Sequence, residues 1–138
     1  MWIFSTLGFY SVVQEREDKE CVRVSASCQR DLERLLALKP EDTALLKIIH
    51  LSAADQAYQV TMTKELWAKL SADLFNDITY TDFEKKCQRV FPSEYSRIGA
   101  LVTIEQVMRH LSNELNASAH TYVMPQRMAS MADLSSGG

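Results

Sequence analysis

Glycine is scarce in this chain: four residues in 138, two of them the final pair. A loop that cradles phosphate on backbone N–H groups needs several glycines, so P-loop and G-x-G-x-x-G sites are excluded, and no G-x-S-x-G elbow occurs. Cysteine is nearly as rare. Cys21, Cys28 and Cys87 form an odd set without paired spacing, which argues against a disulfide framework and for the reducing cytoplasm. The three histidines, His50, His110 and His120, include no HExxH pair, and none has a histidine or cysteine at metal-ligand spacing. Neither a metal nor any other cofactor is therefore expected. No run reaches the ~18 apolar residues of a membrane span. The apolar opening, Met1 to Val13, lacks the basic start and small-residue cleavage site of a leader, so it is expected to be a strand. Basic residues are not in excess either. Lys and Arg number 15 against 18 Asp and Glu, a net charge of -3. The basic footprint of a nucleic-acid binder is missing, so neither nucleic acid nor membrane is an expected partner.

What is present is an ordinary globular composition, 46% apolar and 24% charged. The length suits one domain with a core that needs no disulfide or metal. Trp2 to Val13 is rich in aromatic and β-branched residues and reads as one strand, interrupted or bulged at Gly8. After the charged turn Gln14 to Glu20, the segment Cys21 to Cys28 alternates. Val22, Val24, Ala26 and Cys28 face one way, and Arg23, Ser25 and Ser27 the other. This is a half-buried strand completing a hairpin. Leu32, Leu35 and Leu36 mark a short helix that Lys39-Pro40 ends. Leu45 to Leu51 reads as a strand, and Ala57 to Met62 as its alternating neighbour.

Thr63 is an N-cap for a helix carrying Leu66, Trp67, Leu70 and Leu74. Thr81-Asp82-Phe83-Glu84 has the form of a capping box opening a helix with Phe83, Cys87 and Val90 inward. Ser93 begins the last helix, which runs to about Leu115. There Leu101, Ile104, Met108, Leu111 and Leu115 recur at alternating spacings of three and four, the a/d spacing of a coiled-coil seam. Two readings stay open: an amphipathic helix on its own core, or a helix that also pairs with a copy of itself. From Asn116 the apolar period stops, and a mobile tail is expected.

No convergent catalytic set is visible. His50 and Asp55 could orient a base, but no nucleophile is marked, and a loop hydrogen bond explains them. Tyr10, Tyr58 and Arg23 are candidates for a ligand surface, with the ring and the cation suited to a nucleotide-like molecule. Arg23 lies on a polar strand face that serves either solvent or a ligand.

The opening Met1-Trp2-Ile3-Phe4-Ser5-Thr6 and Gly8-Phe9-Tyr10-Ser11-Val12-Val13 resembles the N-terminal signature M-x-[IL]-F-T-x-x-G-[FM]-[FY]-S-[VI]-V of a family of small bacterial proteins with no assigned reaction. Arg30-Asp31-Leu32-Glu33-Arg34-Leu35, Ala54-Asp55-Gln56-Ala57-Tyr58, Leu66-Trp67 and Ile78-Thr79-Tyr80-Thr81-Asp82-Phe83-Glu84 are similar to later segments of that family. The resemblance implies a two-layer α+β fold of the ferredoxin-like kind.

These readings define the expectations. Residues 1–115 form one α+β domain, an antiparallel sheet covered by helices, with a long last helix, and residues 116–138 form a flexible tail. The expected core is Phe9, Val12, Val22, Val24, Leu32, Leu35, Ile48, Val60, Trp67, Leu70, Phe83, Ile98 and Leu101. The expected role is non-catalytic: a protein-interaction or regulatory module, a class that includes phage-encoded inhibitors of host systems. It would act as a homo-oligomer on Leu101, Ile104, Met108, Leu111 and Leu115. The alternative is a protein that binds or sequesters a nucleotide-like small molecule.

Overall fold

A computed structural model describes residues 1–54 and 56–135, with side chains through Ala119. Strand β1 (Trp2–Phe4) and strand β2 (Phe9–Gln14) form an antiparallel hairpin, with Ile3 opposite Tyr10. The expected single strand is thus two. Ser5 folds the chain back: its hydroxyl accepts from the N–H groups of Leu7 and Gly8 at 3.2 and 3.3 Å and donates to the Gly8 carbonyl at 3.0 Å. These bonds satisfy backbone groups the turn would otherwise leave unpaired. β3 (Cys21–Ala26) pairs with β2, and β5 (Tyr58–Thr63) pairs with β3. The short edge strand β4 (Ile49–His50) closes an antiparallel sheet of order β1-β2-β3-β5-β4.

Alternation decides which face is buried. Tyr10, Val12, Val22, Val24, Ala26, Val60 and Met62 share one face and form the core with Leu32 and Leu35 of α1 (Gln29–Leu36) and Trp67 and Leu70 of α3 (Lys64–Asn76). Both helices pack on β3 and β5, giving a two-layer α+β architecture. Each large side chain buried this way contributes ~1.5–3 kcal/mol. The helices begin for local reasons. Thr63 caps α3 by accepting from Leu66 N–H at 3.2 Å. Pro40 opens the one-turn α2 (Pro40–Thr43) at its first position, where a missing N–H costs nothing. Thr43 then ties that turn to α1 by donating to the Leu36 carbonyl at 2.8 Å. The segment from Leu45 therefore starts as turn rather than strand: Leu45 is 95% exposed, and pairing is confined to Ile49 and His50.

Helix α4 (Phe83–Val90) follows a loop. Its cap is Asp82, whose carboxylate accepts from Lys85 N–H at 3.0 Å, not the expected Thr81. The strands β1, β2 and β3 precede any helix, so the element order departs from the β-α-β-β-α-β of a ferredoxin-like domain. Among the described residues, no helix is long and apolar enough to cross a membrane.

The chain divides into two compact units, residues 1–90 and 91–138. In the second unit, α5 (Tyr95–Ser135) is preceded by Phe91, which is buried and lies 4.5 Å beneath the Arg97 guanidinium. The backbone stays helical through the expected end near Leu115. Beyond it lie Ala117, Ala119, Ala129 and Ala132, strong helix formers that sustain a helix without an apolar period. Residues 116–135 of the expected tail are thus helical backbone, and its last three residues lie outside the described ones.

Candidate functional site

A buried polar cluster in the first unit centres on Asp31. This residue sits in the first turn of α1, where the helix N-terminus favours an anion, and is 2% exposed. Its Oδ2 accepts from Phe9 N–H at 3.0 Å, and its own carbonyl accepts from the Tyr10 hydroxyl at 2.8 Å. Arg34 lies 3.5 Å from Oδ1 and donates to the Leu7 carbonyl at 3.4 Å. Gly8 fits directly against this group. A Cβ there would come within 2.5 Å of Asp31 Cβ and Cγ. No described glycine has a positive φ, so Gly8 is required for space rather than backbone freedom. The cluster fastens α1 to the β1–β2 turn.

It also corrects the expected ligand surface. Tyr10 is fully buried and bonded within the core, whereas Phe9, expected inside, is on the opposite sheet face and half-buried. The Ser5 turn sets this parity. Tyr58 is on the same face as Tyr10, half-buried at the sheet margin, with His50 stacked on it at 4.8 Å between ring centroids. Arg23 is on the other face, 3.8 Å from Glu15. Tyr10, Arg23 and Tyr58 therefore do not converge. The partner expected for His50, Asp55, lies outside the described residues. Among the described residues, no three His, Cys, Asp or Glu side chains come together as a metal would require.

Among the described residues of the first unit, two concave surfaces bear on binding. One is a hollow of about 420 Å³ bounded by the loop residues Thr79, Tyr80, Thr81 and Asp82 and by Lys85, Lys86 and Arg89 of α4. Spacings of three and four put Lys86 and Lys85 on the same side of the helix as Arg89. Lys85 lies 3.7 Å from Asp82. Burial, then the neighbouring Cys87 and Asp77, raise the Tyr80 hydroxyl above its ordinary pKa. The other surface is an apolar groove of about 240 Å³ between β1 and the end of α3, where Trp2, Phe4, Leu74, Phe75 and Ile78 meet Tyr80. Sequence reasoning named only Phe83, Cys87 and Val90 on this helix and passed over its cations. The available signal was Lys85-Lys86 followed by Arg89 directly after a polar loop.

In the second unit, the seam residues of α5 remain open to solvent. Ile104, Met108, Leu111 and Leu115 are 36%, 58%, 44% and 62% exposed, Val107 is 58% exposed, and Leu101 is half-buried. Ile98, also expected in the core, is likewise half-buried, as is Phe83 of the first unit. Glu105 pairs with Arg109, and His110 with Glu114, along the helix, leaving the stripe apolar.

No protein-family model, curated protein or solved structure matches this chain.

Proposed function

We propose that this chain is a non-catalytic interaction module, a regulatory protein of the cytoplasm that pairs with a second copy of itself along α5. The observation carrying this reading is the stripe of exposed Ile104, Met108, Leu111 and Leu115 continued by half-buried Leu101, which spans about 21 Å of helix at 1.5 Å per residue. Large exposed apolar patches mark interaction surfaces. A two-fold axis presents every residue of the stripe twice. Each of these side chains is already partly buried in the monomer and recovers only part of the ~1.5–3 kcal/mol of full burial, so several per copy, doubled by the axis, give a gain of the same order as an association cost of ~4–15 kcal/mol. Such a surface also suits a protein that blocks a host partner, the mode of a phage-encoded inhibitor. Sedimentation at micromolar concentration tests the pairing. The expected result is a dimer that Met108→Lys converts to monomer. A wild-type monomer refutes the reading, and so does a dimer indifferent to the lysine.

A second reading, small-molecule binding, is supported by the basic hollow beside α4 in place of the dispersed Tyr10, Arg23 and Tyr58. A thermal-shift screen against nucleotides separates the two, since only a bound ligand stabilises the folded chain.

A further inference from the structure

We infer that the hollow beside α4 binds the phosphate of a small phosphomonoester and that the adjoining apolar groove holds the body of the same molecule. This deepens the small-molecule reading and is independent of pairing through α5.

Charge comes first. Among the described residues, Lys86 and Arg89 have no ion-pair partner, while Lys85 is shared with Asp82. Two uncommitted cations match the charge of about -1.5 to -2 that a phosphomonoester carries at neutral pH. The single carboxylate on the wall, Asp82, is held by Lys85 and by the α4 backbone, which limits its repulsion of an anion.

Donor geometry comes second. Thr79, Tyr80 and Thr81 line the same hollow, and each carries an O–H able to donate to a ligand there. Cations and neutral donors around one concavity suit a tetrahedral oxyanion with several acceptors better than a planar carboxylate.

Tyr80 supplies the link, because it lines both concavities. Its ring lies 6.1 Å from that of Phe83, and on the groove side it joins Phe75, which is 71% exposed, Ile78, 56%, and Trp2, 67%. Apolar surface beside a phosphate site has a use when the ligand carries an apolar or aromatic group, because inorganic phosphate would leave that surface wet. The volume of the hollow also exceeds what a lone phosphate fills.

Calorimetric titration of the full chain with inorganic phosphate, hexyl phosphate and adenosine 5′-monophosphate tests the assignment. At least one organic phosphate should bind ~tenfold or more tightly than inorganic phosphate. Preference for the nucleotide identifies an aromatic body, and preference for hexyl phosphate an aliphatic one. Lys86→Gln combined with Arg89→Gln, which alters only partly or fully exposed side chains, should weaken that binding ~tenfold or more, since charge-assisted bonds are lost. Phe75→Ser should weaken the organic phosphate and leave inorganic phosphate unchanged. Equal affinity for organic and inorganic phosphate overturns the inference. Binding indifferent to the double variant overturns it while sparing small-molecule binding elsewhere. Tighter binding of a phosphoserine peptide than of either small molecule also overturns it.

Discussion

Replacing Gly8 with alanine adds one methyl group, and the structure states what that methyl meets. Asp31 Cβ and Cγ would lie 2.5 Å away and Oδ2 2.8 Å away, well inside van der Waals contact. Both sides of the contact are constrained. Gly8 is held by the Ser5 turn, and Asp31 is fixed by its bond to Phe9 N–H and by Arg34. Relief by small shifts costs ~1–3 kcal/mol, the range for an overpacked core. Relief by withdrawing Asp31 costs about 1.5–3 kcal/mol, the worth of a charged hydrogen bond, and leaves Phe9 N–H unpaired. Either route predicts a loss of ~1–3 kcal/mol, a sizeable share of the ~5–15 kcal/mol that holds a typical domain together. Gly99→Ala is the matched control. It sits within α5 with nothing within 4 Å of the added Cβ, so the same change should stabilise by ~0.5–1 kcal/mol. Urea unfolding followed by circular dichroism measures both. A Gly8→Ala loss below ~0.5 kcal/mol, the level of an ordinary surface change, refutes the steric argument.

Two further outcomes follow from the same unit. Tyr10→Phe keeps the buried ring but removes its bond to the Asp31 carbonyl, so urea unfolding should show a loss of ~0.5–1.5 kcal/mol; no loss would mean the hydroxyl is idle. The Cys21 thiol donates to Asp18 at 3.3 Å, and that bond, then desolvation and the nearby Asp18, Glu15 and Glu20 charges, raise its pKa. Asp18→Asn should lower that pKa, so the rate of alkylation against pH, read in a Cys28→Ser background, should shift to lower pH with more thiolate at neutrality. An unshifted profile would refute the assigned cause.

Much of the first unit was legible because its signals are local. Val22, Val24, Val60 and Met62 alternate in sequence and are all buried, and Thr63 caps α3 as its position before Leu66 implies. The misses depend on turns and contacts that side-chain patterning does not show. The face of β2 is decided by the turn at Ser5 to Gly8, so Tyr10 rather than Phe9 is buried. Asp31 reads in sequence as one more polar residue of an amphipathic helix, and only the approach of Phe9, 22 positions earlier, explains its burial. Likewise, Lys85, Lys86 and Arg89 share a hollow only once the loop from Thr79 to Asp82 is placed beside them.

The residues behind the opening resemblance, Gly8, Phe9, Tyr10, Asp31, Leu32 and Leu35, are the ones that join α1 to the first hairpin. Their polar groups are engaged there: the Asp31 carboxylate with Phe9 N–H and Arg34, and the Tyr10 hydroxyl with the Asp31 carbonyl. Among the described residues no buried side-chain polar atom lacks a partner. A ligand at this cluster would have to displace a bond already made in a water-free setting, and a proton acceptor 2% exposed has little access to substrate. Buried, connected polarity of this kind holds a fold together without presenting a reactive group to a ligand. Binding is better sought where groups are uncommitted, on the apolar seam of α5 and at Lys86 and Arg89, positions outside the segments that carry the resemblance.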